Sequence, residues 1–386
     1  MNTGRPTIDR NIYWVAAAYF FISAVILYTY NIQLGGEAEK YIDNAGRILN
    51  GQPLRNGFFG LFYVLYSLLV AFFVKFSIPL AGVAIGQVLL SFYAGLLLYR
   101  ILLDTLDNRR IALFFFIAYL LCYPMQKWNF FLYSESLHNS LLLIGLYLFY
   151  KWQKRPVLFT LLPAGFVLLL ILFSRPTGIV FLMTFFVVLI TWLYRNGHRK
   201  AFFTAAGIAM IVAVAILNSP LTAFVNPDSI RRMEVICQVP ETNTGAVYEE
   251  FNRQGLMKAF QVIRDEVGFG NFIKTGIKKL GYFFGMYRPY YSRHNNLLLL
   301  CYMLLYPLAI AGIFFKQRKP FFYLKLFSLL YLVITSFLIF FTCDDWANRF
   351  ISPVFPFILI LAAGGIDGLV TKFRRNRSLS GSNQLI

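Results

Sequence analysis

The chain has 386 residues, of which 58% are hydrophobic and 18% aromatic, and its mean hydropathy of +0.62 lies far above that of a soluble domain. A net charge of +19 raises nucleic acid as a partner, but the lysines and arginines sit in loops between apolar runs, the bias of cytoplasmic loops in a membrane protein, and nucleic-acid binding is set aside. Four cysteines without ligand spacing or a disulfide framework, and scattered His138, His198 and His294, predict no metal site.

In chain order, apolar segments fall near 12–30, 59–77, 79–101, 111–126, 138–150, 156–173, 178–194, 201–217, 296–315, 321–342 and 350–370. The first follows Arg5 and Arg10 and has no small-residue cleavage site after it, so it reads as a retained span with a cytoplasmic N-terminus. Basic clusters follow alternate segments: Arg100/Arg109/Arg110, Lys151/Lys154/Arg155, Arg195/Arg199/Lys200, Lys316/Arg318/Lys319 and Lys372/Arg374/Arg375/Arg377. All of them belong inside, which requires that 59–77 does not cross the bilayer. That segment is expected to be an interfacial juxtamembrane helix, or a re-entrant one buried against other helices. The expectation is therefore an all-α polytopic membrane protein of about ten transmembrane helices, both termini cytoplasmic, in a bacterial inner membrane. It divides into an N-terminal membrane module, 1–217, whose first outer loop is 31–77, an outer-face helical loop, 218–294, and C-terminal membrane helices with a basic tail, 295–386.

This topology gathers acids and isolated arginines on the outer face. In the first loop, Tyr41, Ala45, Ile48 and Leu49 recur at helical spacing behind Glu37 and Glu39. Glu37 reads either as a helix-dipole acid or as an active-site carboxylate. Glu135, in Trp128–His138 at the entry to a span, needs a partner or a wet cavity unless it is a first-turn acid. Arg175 occupies the one-turn break Ser174-Arg175-Pro176-Thr177-Gly178, where it either snorkels to headgroups or offers its planar fork to a phosphate. Arg349, after Cys343-Asp344-Asp345 and before Pro353 and Pro356, either pairs with Asp345 at helical spacing or meets a ligand at a kinked start to the last span. In the long loop, Gly255–Leu280 reads as one amphipathic helix with Lys258, Arg264, Lys274, Lys278 and Lys279 among apolar residues, a pattern that lies on anionic lipid.

The outer acid, the later Ser-Glu, the Arg-Pro turn and the Arg349-Phe350-x-x-Pro353-x-x-Pro356 entry to the final span together resemble the glycosyltransferase C superfamily. The resemblance is nearest to bacterial relatives of protein O-mannosyltransferases and lipid A aminoarabinose transferases. It covers roughly residues 10–200 and 320–370. The family's first outer loop reads Asp-Glu-x-x-Tyr, then Ala, Leu and Gly at fixed offsets. Tyr41, Ala45, Leu49 and Gly51 keep those offsets, Glu37 replaces the aspartate, and Ala38 stands where the second acid would be, leaving Glu39 or Glu135 as its substitute.

The resemblance implies an inverting glycosyltransferase that moves a hexose or pentose from a polyprenyl-phosphate donor to a lipid, glycan or protein acceptor on the outer (periplasmic) face. It implies Glu37 and Glu135 as catalytic residues, with Glu39, Tyr41, Arg175, Asp345 and Arg349 binding substrate. No nucleotide or other cofactor is called for, beyond a possible divalent metal. The competing expectations are a transporter or lipid flippase, whose ionisable groups would sit near the midplane, and a surface-polysaccharide polymerase or ligase.

Overall fold

The computed structural model describes residues 10–55, 57–217, 227–237, 255–315, 319–344 and 347–382. Among them every extended element is helical, with two isolated bridges, Gln33–Phe131 and Ile236–Asp344. The chain divides into two compact units, residues 1–179 and 180–386. Among the described residues six helices are long and apolar enough to cross a membrane, and a seventh span results if a bent pair is counted as one. The protein is thus an all-helical integral membrane protein.

In the first unit, α1 (Arg10–Tyr30) leaves Trp14, Phe21 and Tyr28 exposed, an apolar surface suited to lipid. α2 (Ala38–Leu49) is the amphipathic helix of the first loop. It buries Ala38, Tyr41, Asn44 and Ala45, whereas Leu49, expected on the same face, is exposed. A 3-10 turn, Gly57–Tyr63, leads to α3 (Val64–Lys75), which packs on α2. Twelve helical residues rise only about 18 Å, short of the roughly 30 Å hydrocarbon core. α4 (Ala81–Thr105) is a full span.

The apolar run at 111–126 is broken. α5 (Arg109–Leu120) stops before Cys122, and α6 (Tyr123–Gln126), with Pro124 in its first turn, continues through a 3-10 turn at Lys127–Phe130 after a 45° bend. Irregular backbone at such depth survives only where protein satisfies its polar groups. Gln87 of α4 does this, donating from Nε2 to the carbonyls of Asn129 (2.9 Å) and Phe131 (3.1 Å) while Tyr66 donates to its Oε1 at 2.7 Å. Gln126 and Asn129 are held in turn by Tyr19, Ser91 and Ser136.

α7 (Glu135–Lys154) and α8 (Leu158–Ser174) pack against each other and complete the unit. α7 falls below spanning hydropathy because Glu135, Ser136, His138, Asn139 and Ser140 crowd its first two turns. At its far end Lys154 meets Asp104 of α4 at 2.6 Å, joining two residues that the charge pattern assigns to the same face.

The second unit takes in α9 (Gly178–Arg195), α10 (Arg199–Leu217), α11 (Pro227–Arg231), α12 (Gly255–Val262), α13 (Phe269–Gly285), α14 (Arg293–Tyr302), α15 (Leu305–Phe314), α16 (Lys319–Phe341) and α17 (Phe355–Ser382). The single amphipathic helix expected over 255–280 is two helices. A π turn at Ile263–Val267 ends at Gly268, whose φ of 79° breaks the helix. α14 and α15 together form one candidate span, and α17 follows a 3-10 turn at Ser352–Val354, so Pro353 and Pro356 lie at a helix start, where prolines are tolerated. α15 and α17 cross closely at glycines. A Cβ on Gly312 would strike the Leu361 carbonyl oxygen, and one on Gly365 would strike that of Leu308.

Cys237 and Cys343 form a disulfide across 106 residues, tying the long loop to the end of α16. Beside it the strand-like bridge runs from Asp344 N–H to the Val235 carbonyl and from Cys237 N–H to the Asp344 carbonyl, both 2.9 Å. Arg288, fully buried, pairs with the Asp344 carboxylate and donates to the carbonyls of Tyr282 and Tyr287. Closing a loop of this length stabilises by about 4–5 kcal/mol in the chain-entropy picture, with roughly 2–4 kcal/mol the usual yield. Reduction, or Cys237→Ser, is expected to lower the thermal midpoint of the detergent-solubilised protein. An unshifted midpoint would show that the Arg288–Asp344 contact holds the loop without the bridge.

Candidate functional site

The site lies in the first unit, where the first loop docks on the segment between α6 and α7. Gln33 N–H donates to the Phe130 carbonyl (2.8 Å) and Leu132 N–H to the Gln33 carbonyl (3.1 Å). Tyr133 fixes the start of α2: its hydroxyl donates to the Gly35 carbonyl (2.9 Å) and accepts from Glu37 N–H (3.1 Å). Glu37 occupies the N-cap position of α2, but its side chain makes no capping hydrogen bond and it remains part-exposed. Its place at the start of α2 suits a helix-dipole acid as well as an active-site carboxylate.

One turn further on, Tyr41 is wholly buried and shares a 3.0 Å hydrogen bond with the Ser134 hydroxyl. Its ring stands edge-on to Tyr66 at 4.7 Å. Burial, reinforced by the negative charges of Glu135 and Glu37, pushes the Tyr41 phenol well above its ordinary range, so it stays protonated as a hydrogen-bond donor. Lys40 lies over the Tyr63 ring at 3.6 Å, and Glu39 is exposed.

Next to Ser134 in the chain, Glu135 forms an ion pair with Arg175, Arg175 Nη1 to Glu135 Oε1 at 2.6 Å, the Glu135 and Arg175 side chains 0% and 5% exposed. The carboxylate that the sequence left needing a partner and the arginine of the Pro turn thus meet each other. Arg175 is not a snorkelling side chain, because it points inward. Charges this deep are stable only when paired, and the 2.6 Å contact gives each of the two its partner.

His138, one turn beyond Glu135, is a residue the sequence reading passed over. Its ring is fully buried and touches both sides of the Arg175 turn, Nδ1 to Ser174 Oγ at 2.7 Å and Nε2 to Thr177 Oγ1 at 3.3 Å. Ser174 spends its own proton on the Ile171 carbonyl (2.7 Å), so it accepts from Nδ1–H, and the neutral ring's Nε2 accepts from Thr177. Asparagine can reproduce the first bond and phenylalanine neither. His138→Phe is expected to cost about 1–3 kcal/mol in unfolding free energy, and His138→Asn less. Equal losses would remove the clasp.

The remaining candidates belong elsewhere. Arg349 lies in the second unit, 7% exposed, in the turn after Asn348, whose side chain donates to the Met286 carbonyl. Asp345 and its expected contact with Arg349 lie outside the described residues. No group of three or more His, Cys, Asp or Glu side chains able to hold a metal occurs among the described residues.

No family model, curated protein or solved structure matches the chain.

Proposed function

We propose that the protein is an inverting glycosyltransferase of the outer membrane face, taking its sugar from a polyprenyl phosphate. The observation that carries this reading is a convergence within the first unit: part-exposed Glu37 starts α2, Tyr41 one turn on bonds to Ser134, and Ser134 directly precedes Glu135, the buried partner of Arg175. Glu37 takes the proton from the acceptor hydroxyl as its oxygen bonds to the anomeric carbon. The bond from that carbon to the phosphate oxygen breaks in the same displacement, and polyprenyl phosphate departs with the electron pair. The positive charge of Arg175 acts on the phosphate across the buried interior as charge develops, and Tyr41, bonded to Ser134, holds in place the helix that carries Glu37. Glu135 keeps Arg175 in place and charged rather than acting as the base itself.

The disulfide supports an exported position for the long loop, since such bonds persist in oxidising compartments. The ten-span topology, with cytoplasmic termini in a bacterial inner membrane, belongs to this proposal, α7, α8, α10 and the bent α5–α6 pair crossing alongside the six long apolar helices. Arg349 and Asp345 stand as substrate-binding candidates on the resemblance alone, as does the choice of a lipid, glycan or protein acceptor.

The test is transfer of radiolabelled sugar from polyprenyl phosphate to envelope fractions by the purified, reconstituted protein. Label appearing in the acceptor fraction supports the reading. Absent transfer together with movement of the labelled lipid across the bilayer would replace it with a flippase.

A further inference from the structure

The helices of the long outer loop take no part in the chemistry above, yet α13 presents two apolar faces. One is accounted for. Phe272, Gly276, Lys279 and Phe283 are buried, and the first three pack at the end of α16. The Phe272 ring lies 5.3 Å from those of both Phe340 and Phe341, and a Cβ on Gly276 would run into the Phe340 ring. Lys279 donates from Nζ to the Thr342 carbonyl. α16 is a candidate span that ends at Phe341, so these contacts hold α13 at the level where that span leaves the hydrocarbon.

The other face is an exposed stripe. Phe269 (65% exposed), Ile273 (42%) and Ile277 (62%) recur every fourth residue, and Phe260 of α12 adds a fourth exposed apolar side chain. Lys274 and Lys278 each follow the stripe by one residue, about 100° around the helix, and are exposed. No acid occurs among the 17 residues of α13. An apolar stripe edged on one side by lysines, at the height of the membrane surface, complements hydrocarbon below and phosphate beside it.

We propose that α13 lies in the bilayer surface, with Phe269, Ile273 and Ile277 at the edge of the acyl chains and Lys274 and Lys278 on the phosphate groups of anionic phospholipid. The surface does not depend on what the first unit catalyses. Its effect is to hold the disulfide-bonded loop against the leaflet at which α16 ends.

The experiment uses the full chain in nanodiscs of phosphatidylcholine alone or mixed with phosphatidylglycerol, with Cys301→Ser removing the exposed free thiol. An environment-sensitive fluorophore is attached at Ile277→Cys, at Ile273→Cys, or at Asn271→Cys as the polar control. The labels at 277 and 273 are expected to be quenched by lipid carrying a nitroxide on its acyl chain and shielded from aqueous iodide, and the label at 271 to show the reverse. Phosphatidylglycerol should deepen the first two labels, and Lys274→Glu with Lys278→Glu should abolish that preference, on the order of 5-fold in local lipid association per lysine. Iodide access at both 273 and 277 would overturn the proposal and leave the stripe to a protein partner. Equal behaviour in the two lipid mixtures would overturn the anionic preference.

Discussion

Glu37→Gln is expected to lower sugar transfer by roughly 10²- to 10⁴-fold, the usual contribution of a positioned general base. The substitution keeps shape and hydrogen-bonding capacity and removes only the ability to take a proton. The side chain does not cap α2, and the backbone N–H held by Tyr133 is untouched, so thermal unfolding should barely change. The measurement is the initial rate of labelled-sugar transfer from polyprenyl phosphate at saturating acceptor, with the unfolding midpoint recorded on the same preparation. A full rate in the variant removes Glu37 as the base and moves the search to Glu39, the other carboxylate in the first turn of α2. A lost rate accompanied by a lost midpoint would assign Glu37 to folding.

The second large effect is one of stability. Glu135→Gln or Arg175→Met alone leaves one buried charge facing a neutral group, at a cost of about 3–5 kcal/mol. The double variant Glu135→Leu with Arg175→Met removes both charges and should recover much of that loss while transfer stays abolished. Unfolding of all three variants in one detergent gives the coupling between the two positions. Additive losses would mean that the 2.6 Å contact is not what holds them. Arg175→Lys separates the roles within the same set: it keeps the charge and loses the planar fork, so transfer should fall further than stability does.

Much of this architecture is written in local patterns. α4, α9 and α16 fall where the apolar runs place them, and the short reach of α3 agrees with the charge argument that denied the segment a full crossing. Legibility fails where a turn interrupts an apolar run without a change in composition. The break after α5 turns on Pro124, and the split between α12 and α13 on Gly268. The site was legible as single residues and not as partners. The run around Glu135 shows that a carboxylate there needs compensation, and the Ser-Arg-Pro-Thr-Gly turn shows an arginine at a chain reversal. Their meeting, 40 positions apart, depends on how α7 packs on α8, which neither segment encodes alone. His138 was hidden for the same reason: in a run of polar residues at a helix start it carries no sign that Ser174 and Thr177 will close on its two nitrogens. The Cys237–Cys343 bridge was not legible: four cysteines without a framework named no pair, and the bond forms where the loop meets the end of α16.

The glycine crossing of α15 and α17 bears on how the second unit can move. With carbonyl oxygens of each helix seated against the bare α-carbons of the other, sliding or rotating the pair would drive backbone into backbone. The two helices therefore travel as one beam, and any relative movement within the second unit has to be found at another joint.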